Sequence, residues 1–235
     1  MSKILTFDIE TRPTKAWVWK GWRENIAPVQ IEEPGGLLCF SAKWLGKKEI
    51  MFFSEWEHGY LGMLEAARDL LEEADVLITY NGEKFDYPHF VTEFILAGVS
   101  PPPPPSHVDL YKFFRHKTRF FSNKLEHIAS MLNIGHKMEH EGFGLWKKVM
   151  AGDEQAQAKM KKYCVHDCRL TEGVYKRVRP YITNHPNIGS GRSCPKCTSA
   201  RVHRRGFRLT AHYKTERLQC QKCFGWTTGK RTKIS

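Results

Sequence analysis

No stretch of this chain approaches the ~18 uninterrupted apolar residues of a membrane-spanning helix. The opening residues, MSKILTFDIET, carry neither an apolar signal core nor a cleavage site. Neither a membrane span nor secretion is expected, and a cytoplasmic location is. Seven cysteines are an odd number, so a complete disulfide framework is not the natural reading. Four of them form two CxxC pairs, which fits metal binding in a reducing compartment. Acidic residues almost vanish from the last fifth of the chain. Residues 186–235 hold twelve Lys/Arg and one carboxylate, Glu216, which leaves a net +11 there and only +1 in residues 1–185. A basic module beside a neutral domain points to a polyanion, nucleic acid before a membrane surface. No internal repeat is visible.

What the chain does contain is core material. Its 235 residues are 41% hydrophobic, with 14 Phe, 7 Trp and 8 Tyr, which excludes wholesale disorder. Residues 3–10 read as a short strand. Residues 12–36, with Trp17, Trp19 and Trp22, form a long excursion without a clean period. Strands are predicted over 37–45 and 49–55 as a hairpin around Gly46-Lys47-Lys48, and over 76–80 and 107–111. Helices are predicted over 62–74, 86–99, 124–133, 144–151 and from about 154 to 179, where Pro180 stops the last one. Pro101 to Pro105 force an extended connector. The order predicts an α/β domain with a mixed sheet flanked by helices over residues 1–183, a linker over 184–193 and a basic module over 194–235.

Carboxylates carry the chemistry. Asp8 and Glu10 lie two apart on the first strand and so point the same way. Two like charges on a core strand are costly unless a cation holds them. Asp86 follows a buried strand, where it serves as a helix cap or as a site residue at the carboxyl end of the sheet. Asn81 in the same turn orients substrate or closes the turn. On the last long helix, Ala156, Met160, Cys164, Thr171, Val174 and Val178 define an apolar stripe, and Asp167 falls inside it. Tyr163 precedes Asp167 by one turn on the same face, placed to orient a water or to pack in the core. Four carboxylates of this kind favour hard Mg²⁺ or Mn²⁺. Two such ions supply what phosphodiester hydrolysis needs.

The blocks FDIET (7–11), YNGEKFD (80–86) and YCVHD (163–167) resemble the three motifs of the DEDD 3′–5′ exonuclease superfamily, and the third resembles its tyrosine subclass. WKGWRENIAPVQIEEPGGLLCFSAKWL, SNKLEHIASML and GFGLWKKVMAGD resemble stand-alone exonucleases encoded by bacteriophages. The resemblance implies an RNase H-like fold, metal ligands Asp8, Glu10, Asp86 and Asp167, and Tyr163 beside the attacking water. Nucleic acid is the expected substrate, DNA before RNA, with Asn81, Phe85 and Lys124 as candidate contacts, and the location is cytoplasmic, the host's if the chain is phage-encoded. No polymerase motif follows, so any replication or recombination partner would act in trans. A structure-specific endonuclease and a non-catalytic binding module are the alternatives.

Cys194, Cys197, Cys220 and Cys223 are spaced as two zinc knuckles around a predicted β-hairpin. A module of about 35 residues buries too little core to fold alone, so one structural Zn²⁺ is expected to supply the fold. Arg201, Arg204, Arg205, Arg208, Lys214 and Arg217 alternate with His203, Phe207 and Tyr213. Cations of this kind track phosphates and aromatics stack on bases.

Overall fold

The computed structural model of the chain describes residues 2–22 and 24–234. β1 (Ile4–Arg12) is the central strand of a five-stranded sheet. It pairs antiparallel with β4 (Gly36–Trp44), which pairs antiparallel with β5 (Met51–Ser54). On its other side β1 runs parallel to β6 (Val76–Thr79), and β6 runs parallel to β7 (Ser106–Asp109). The early antiparallel hairpin and the later parallel strands make the mixed sheet that the element order predicts. Two short strands, β2 (Lys15–Ala16) and β3 (Ile31–Glu33), pair within the excursion, where Trp17 and Trp19 stand in solvent.

Strand alternation decides the layers. Leu5, Phe7 and Ile9 point to one face and pack with α1 (Glu55–Glu73) and α2 (Asp86–Ala97) through Met63, Leu64, Phe90 and Phe94. The opposite face is covered by α6 (Glu154–Val178), with α3 (Leu110–Lys117), α4 (Leu125–Met131) and α5 (Phe143–Met150) beside it. Cys164 and Cys168 are the contact residues of α6: their thiols lie 3.6 Å from the Asp8 carbonyl and 3.5 Å from the Thr6 carbonyl. Small side chains here let the helix close onto the backbone of β1.

Three predicted elements change. The strand over 107–111 ends at Asp109, whose carboxylate accepts the Lys112 N–H at 3.2 Å and caps α3, a helix the pattern does not predict. The helix predicted from 62 begins at Glu55 under a Ser54 cap and is broken at Gly59, where φ is +70°. The connection around Gly46 is longer than a tight turn, because pairing of β4 and β5 stops at Ala42 and Met51.

The C-terminal module is a three-stranded antiparallel sheet. β9 (Tyr213–Cys220) lies between β8 (Val202–Leu209) and β10 (Trp226–Lys233). The pattern predicts the first two strands and misses the third, whose WTTGKRTK run has no apolar alternation. Its buried core is limited to Cys194, Cys197 and Cys220, with Val202 and Cys223 against them. The module rests on the larger domain: the Lys196 ammonium donates to the Pro180 carbonyl at 2.7 Å, and Ile188 packs against the α6 core.

Beneath α6 lies one buried ion pair. Lys43 Nζ is 2.7 Å from Glu172 Oε1 and 2.6 Å from the Lys47 carbonyl, and Lys176 takes the other oxygen of Glu172 at 2.8 Å. Removing one partner strands a buried charge, which costs about 3–5 kcal/mol. Glu172→Ala is therefore expected to lower unfolding free energy by about that amount in a urea titration.

Candidate active site

Three elements bring the motif carboxylates together. Asp8 and Glu10 leave β1 on the α6 side, just before an irregularity between Glu10 and Thr11 in the pairing with β4. Bulges of this kind re-aim side chains next to active sites. Asp167 comes down from α6 inside the buried stripe that the periodicity predicts. One carboxylate oxygen from each of Asp8, Glu10 and Asp167 lies within 4.8 Å of the others. Asp86 is the first residue of α2, with Phe85 as the cap. It is buried outside that trio, and its charge raises the pKa of both Asp8 and Glu10.

The electrostatics are those of anions crowded away from water. Burial, then the charges of Asp167, Asp86 and Glu10, lift Asp8 well above the carboxylate range. Burial, then Asp167, pushes Glu10 up to about 8. Burial pushes Asp86 up to about 7 even though N–H groups of its own residue and of Ile9 bond it. Asp167 is raised by burial and restrained by Lys137. Its Oδ1 is buried with no hydrogen-bond donor among the described residues. An unsatisfied buried carboxylate oxygen is expensive, and a hard cation among these oxygens satisfies it. The donor set is all oxygen, which fits Mg²⁺ or Mn²⁺.

Lys137 is the residue the sequence reading misses. Its ammonium pairs with Asp167 Oδ2 and lies 3.2 Å from the Tyr163 hydroxyl. Burial lowers its pKa, but the neighbouring Asp167 charge outweighs that and holds the group protonated. Lys137 lies between α4 and α5 outside any regular element, so no periodicity marks it. Tyr163 is buried under His140 and Trp146, with ring centroids 4.9 and 6.2 Å away. Burial and the Asp167 charge push its phenol up to about 12, so it stays protonated at neutral pH.

The remaining predicted positions make local contacts of their own. Asn81 has φ +72°, and its N–H donates to Asp109 Oδ1 at 3.0 Å, so it closes the turn before α2. Phe85 is exposed and edge-on to His89 at 4.7 Å. Lys124 is exposed at the start of α4, next to Asn123, whose carbonyl accepts the Tyr80 hydroxyl at 2.7 Å.

In the small module, Cys194 and Cys223 sulfurs are 3.7 Å apart, and those of Cys197 and Cys220 are 3.6 Å apart. A tetrahedron with zinc–sulfur bonds of ~2.3 Å has edges of about 3.8 Å, so the four thiols have the dimensions of a zinc ribbon. Arg201, Arg204, Arg205, Arg208, Lys214 and Arg217 are all exposed. Several cover aromatic rings of the module itself: Lys214 lies 4.0 Å from the Phe207 centroid and Arg217 5.8 Å from that of Trp226. Arg204 also pairs with Glu216 at 3.4 Å.

A family model of the RNase H superfamily matches residues 37–179. The chain belongs to the RNase H superfamily. Nucleases of this superfamily hydrolyse nucleic acids with divalent metals, and in this RNase H-like chain Asp8, Glu10 and Asp167 are close enough together to hold one. The match covers Asp86, Tyr163 and Asp167 but begins after β1, so Asp8 and Glu10 enter the site through geometry alone. No curated protein matches the chain at a significant level. Among the described residues, no helix is long and apolar enough to cross a membrane.

Two outcomes follow. Carboxylates with raised folded-state pKa bind more protons folded than unfolded. Their contribution to stability is complete below the ordinary carboxylate pKa of about 4 and is lost as pH rises through 7–8. The chelated protein should therefore melt several degrees lower at pH 8.5 than at pH 5.5, each kcal/mol moving the midpoint by about 2–4 °C. Added Mn²⁺ should raise the midpoint more at the higher pH. Calorimetry showing no pH dependence under chelation would contradict the crowded-carboxylate picture. Separately, elemental analysis should find one zinc per chain, and Cys220→Ser should release it while the larger domain keeps its own melting transition.

Proposed function

We propose that this chain is a metal-dependent 3′–5′ exodeoxyribonuclease of the DEDD tyrosine subclass, of the stand-alone kind that bacteriophages encode. The observation that carries the reading is the convergence of Asp8, Glu10 and Asp167 from two elements, with Asp86 beside them and Tyr163 one turn from Asp167. In this reading Asp8, Glu10, Asp86 and Asp167 hold two Mg²⁺ or Mn²⁺ ions. Such a pair supplies a hydroxide-like nucleophile at neutral pH and neutralises charge on the phosphate.

The chain's own groups then have distinct tasks. The carboxylates arrive with raised pKa values, so cation binding displaces protons and is favoured by rising pH. Tyr163 keeps its proton and orients the attacking water by hydrogen bonding, its ring locked by His140 and Trp146. Lys137 is a protonated donor in the same place. With a cation held at Asp167, the Lys137 ammonium would be free to bind a phosphate oxygen and stabilise developing negative charge. Asn81, Phe85 and Lys124 are assigned in this reading to contacts with the nucleic acid, Phe85 and Lys124 being exposed. Residues 1–183 form the nuclease, 184–193 the connection, and 194–235 a zinc-bearing module whose exposed arginines hold DNA phosphates.

Oligonucleotides labelled at the 3′ or 5′ end, with closed circular single-stranded DNA as control, test the polarity. Loss of 3′ label first and survival of the circle are expected; cutting of the circle would favour an endonuclease. In single-turnover assays, Asp8→Ala should abolish hydrolysis and keep DNA binding within a few fold. Tyr163→Phe should cost roughly 10²–10⁴-fold, the range of one positioned proton-transfer group. Lys137→Met should cost roughly 10²–10³-fold, the range for loss of one oxyanion donor. Wild-type rates from Tyr163→Phe at saturating Mn²⁺ would reduce that tyrosine to core packing.

A further inference from the structure

The zinc-ribbon module and the nuclease domain enclose a groove of about 900 Å³ between the start of β10, the end of α6 and the loop after α3. Phe113, Phe120 and Tyr181 of the larger domain and Phe224 and Trp226 of the module line it. Its charged lining residues are Lys117 and Arg177, both exposed, and no carboxylate lines it. Two other clefts of the larger domain differ on this point. One has Glu33 and Glu55 in its wall, and the other has Glu83 and Asp109.

Phe224 is held there against its own preference. It directly follows Cys223, has φ +60°, and leaves 64% of its surface in solvent. Thr198, which follows the second cysteine of the other knuckle, has the same φ of +60°, so the left-handed turn belongs to the knuckle, and glycine takes it freely. What sets Phe224 apart is its side chain, a large, largely unburied ring lining the groove.

The groove also connects with the candidate active site. The loop over 118–124 lines it through Thr118 and Phe120, presents a fully exposed Phe121, and ends at Asn123 against Tyr80, next to Asn81. Along α6, Asp167 and Val178 are eleven residues apart, or about 16 Å at 1.5 Å per residue. A stacked strand advances about 3.4 Å per nucleotide, so the groove begins about five nucleotides from the carboxylates.

We propose that this groove is a track for unpaired nucleic acid, in which bases stack on Phe224, Trp226 and Phe120 while Lys117 and Arg177 hold phosphates. The proposal deepens the nuclease reading and rests on it for the direction of the strand. Zinc acts here as a clamp, because Cys223 fixes the turn that presents Phe224. Aromatics flanked by cations and free of carboxylates match a single strand, which exposes base faces that a duplex hides.

Fluorescence anisotropy on the full-length protein, without added Mg²⁺ or Mn²⁺, tests this with thymidylate strands of about 20 and about 4 nucleotides. Phe224→Gly should keep one zinc per chain and a ribbon melting temperature no lower than wild type, because it relieves strain. It should bind the long strand roughly 5- to 150-fold more weakly, the equivalent of one lost stacking contact, and the short strand with little change. Lys117→Glu, an exposed charge reversal, should weaken the long strand and make its affinity less salt-dependent. Unchanged affinity for the long strand in both variants, with zinc retained, would overturn the proposal and leave the groove to a protein partner. Zinc loss or a lowered melting temperature in Phe224→Gly would also overturn it, since Phe224 would then be a structural residue. Binding is read apart from hydrolysis: normal groove-dependent binding by a protein that cleaves nothing would sink the nuclease reading and leave the track standing.

Discussion

Mutual repulsion among crowded carboxylates, half-buried at Asp8 and Glu10 and buried at Asp86 and Asp167, is the constraint on which the larger domain is organised. Asp8 and Glu10 occupy the central strand, and the helix that closes over them contributes a third anion, Asp167, instead of the hydrophobe its stripe calls for. Each of the three has a raised pKa, with burial the largest cause. Like charges this close are tolerated in two ways: a cation sits among them, or protons bind. Lys137 meets part of the demand from a segment outside any regular element. A divalent ion held by these oxygens would meet the rest and would couple folding of this face to metal binding.

Packing around that cluster follows from the need to bring a helix close to a strand without pushing the acids apart. The thiols of Cys164 and Cys168 fill little space and lie against the Asp8 and Thr6 carbonyls. The Ser41 hydroxyl donates to the Cys164 carbonyl at 2.9 Å, tying α6 to β4. Larger side chains at these positions would lift α6 and with it Asp167. On the far side of the sheet, Leu5, Phe7 and Ile9 anchor β1 in an apolar layer, so the strand cannot rotate its acids away from α6. One strand thus carries core on one face and chemistry on the other.

The small module solves the opposite problem. It has almost no apolar core, and its order depends on four thiols placed at zinc-site dimensions. Its arginines and lysines repel one another, and part of that repulsion is relieved by seating them over the module's own rings and beside Glu216. Cation–ring contacts at exposed sites are worth about 0.5–1 kcal/mol each, small enough to be exchanged for a phosphate.

Much of this was legible in the residues. Strand alternation put Asp8 and Glu10 on one side of β1, and a 3.6-residue period put Asp167 in a buried stripe. Cysteine spacing marked the ribbon. These are local patterns, set by backbone geometry within a single element, so sequence alone determines them. The α3 helix escaped because it is only eight residues long and its first two, Leu110 and Tyr111, read as the end of the strand HVDLY, and β10 because every residue after Trp226 is polar or glycine. Lys137 escaped for a different reason: nothing local distinguishes it from other loop lysines, and only closure of the loop over α6 brings it to Asp167 and Tyr163. The aromatic groove likewise exists only once Phe113 and Phe120, from one domain, face Phe224 and Trp226 of the other. Which residues could serve was written along the chain; which charges and rings meet was decided by tertiary packing, because electrostatics and stacking act through space and not along sequence.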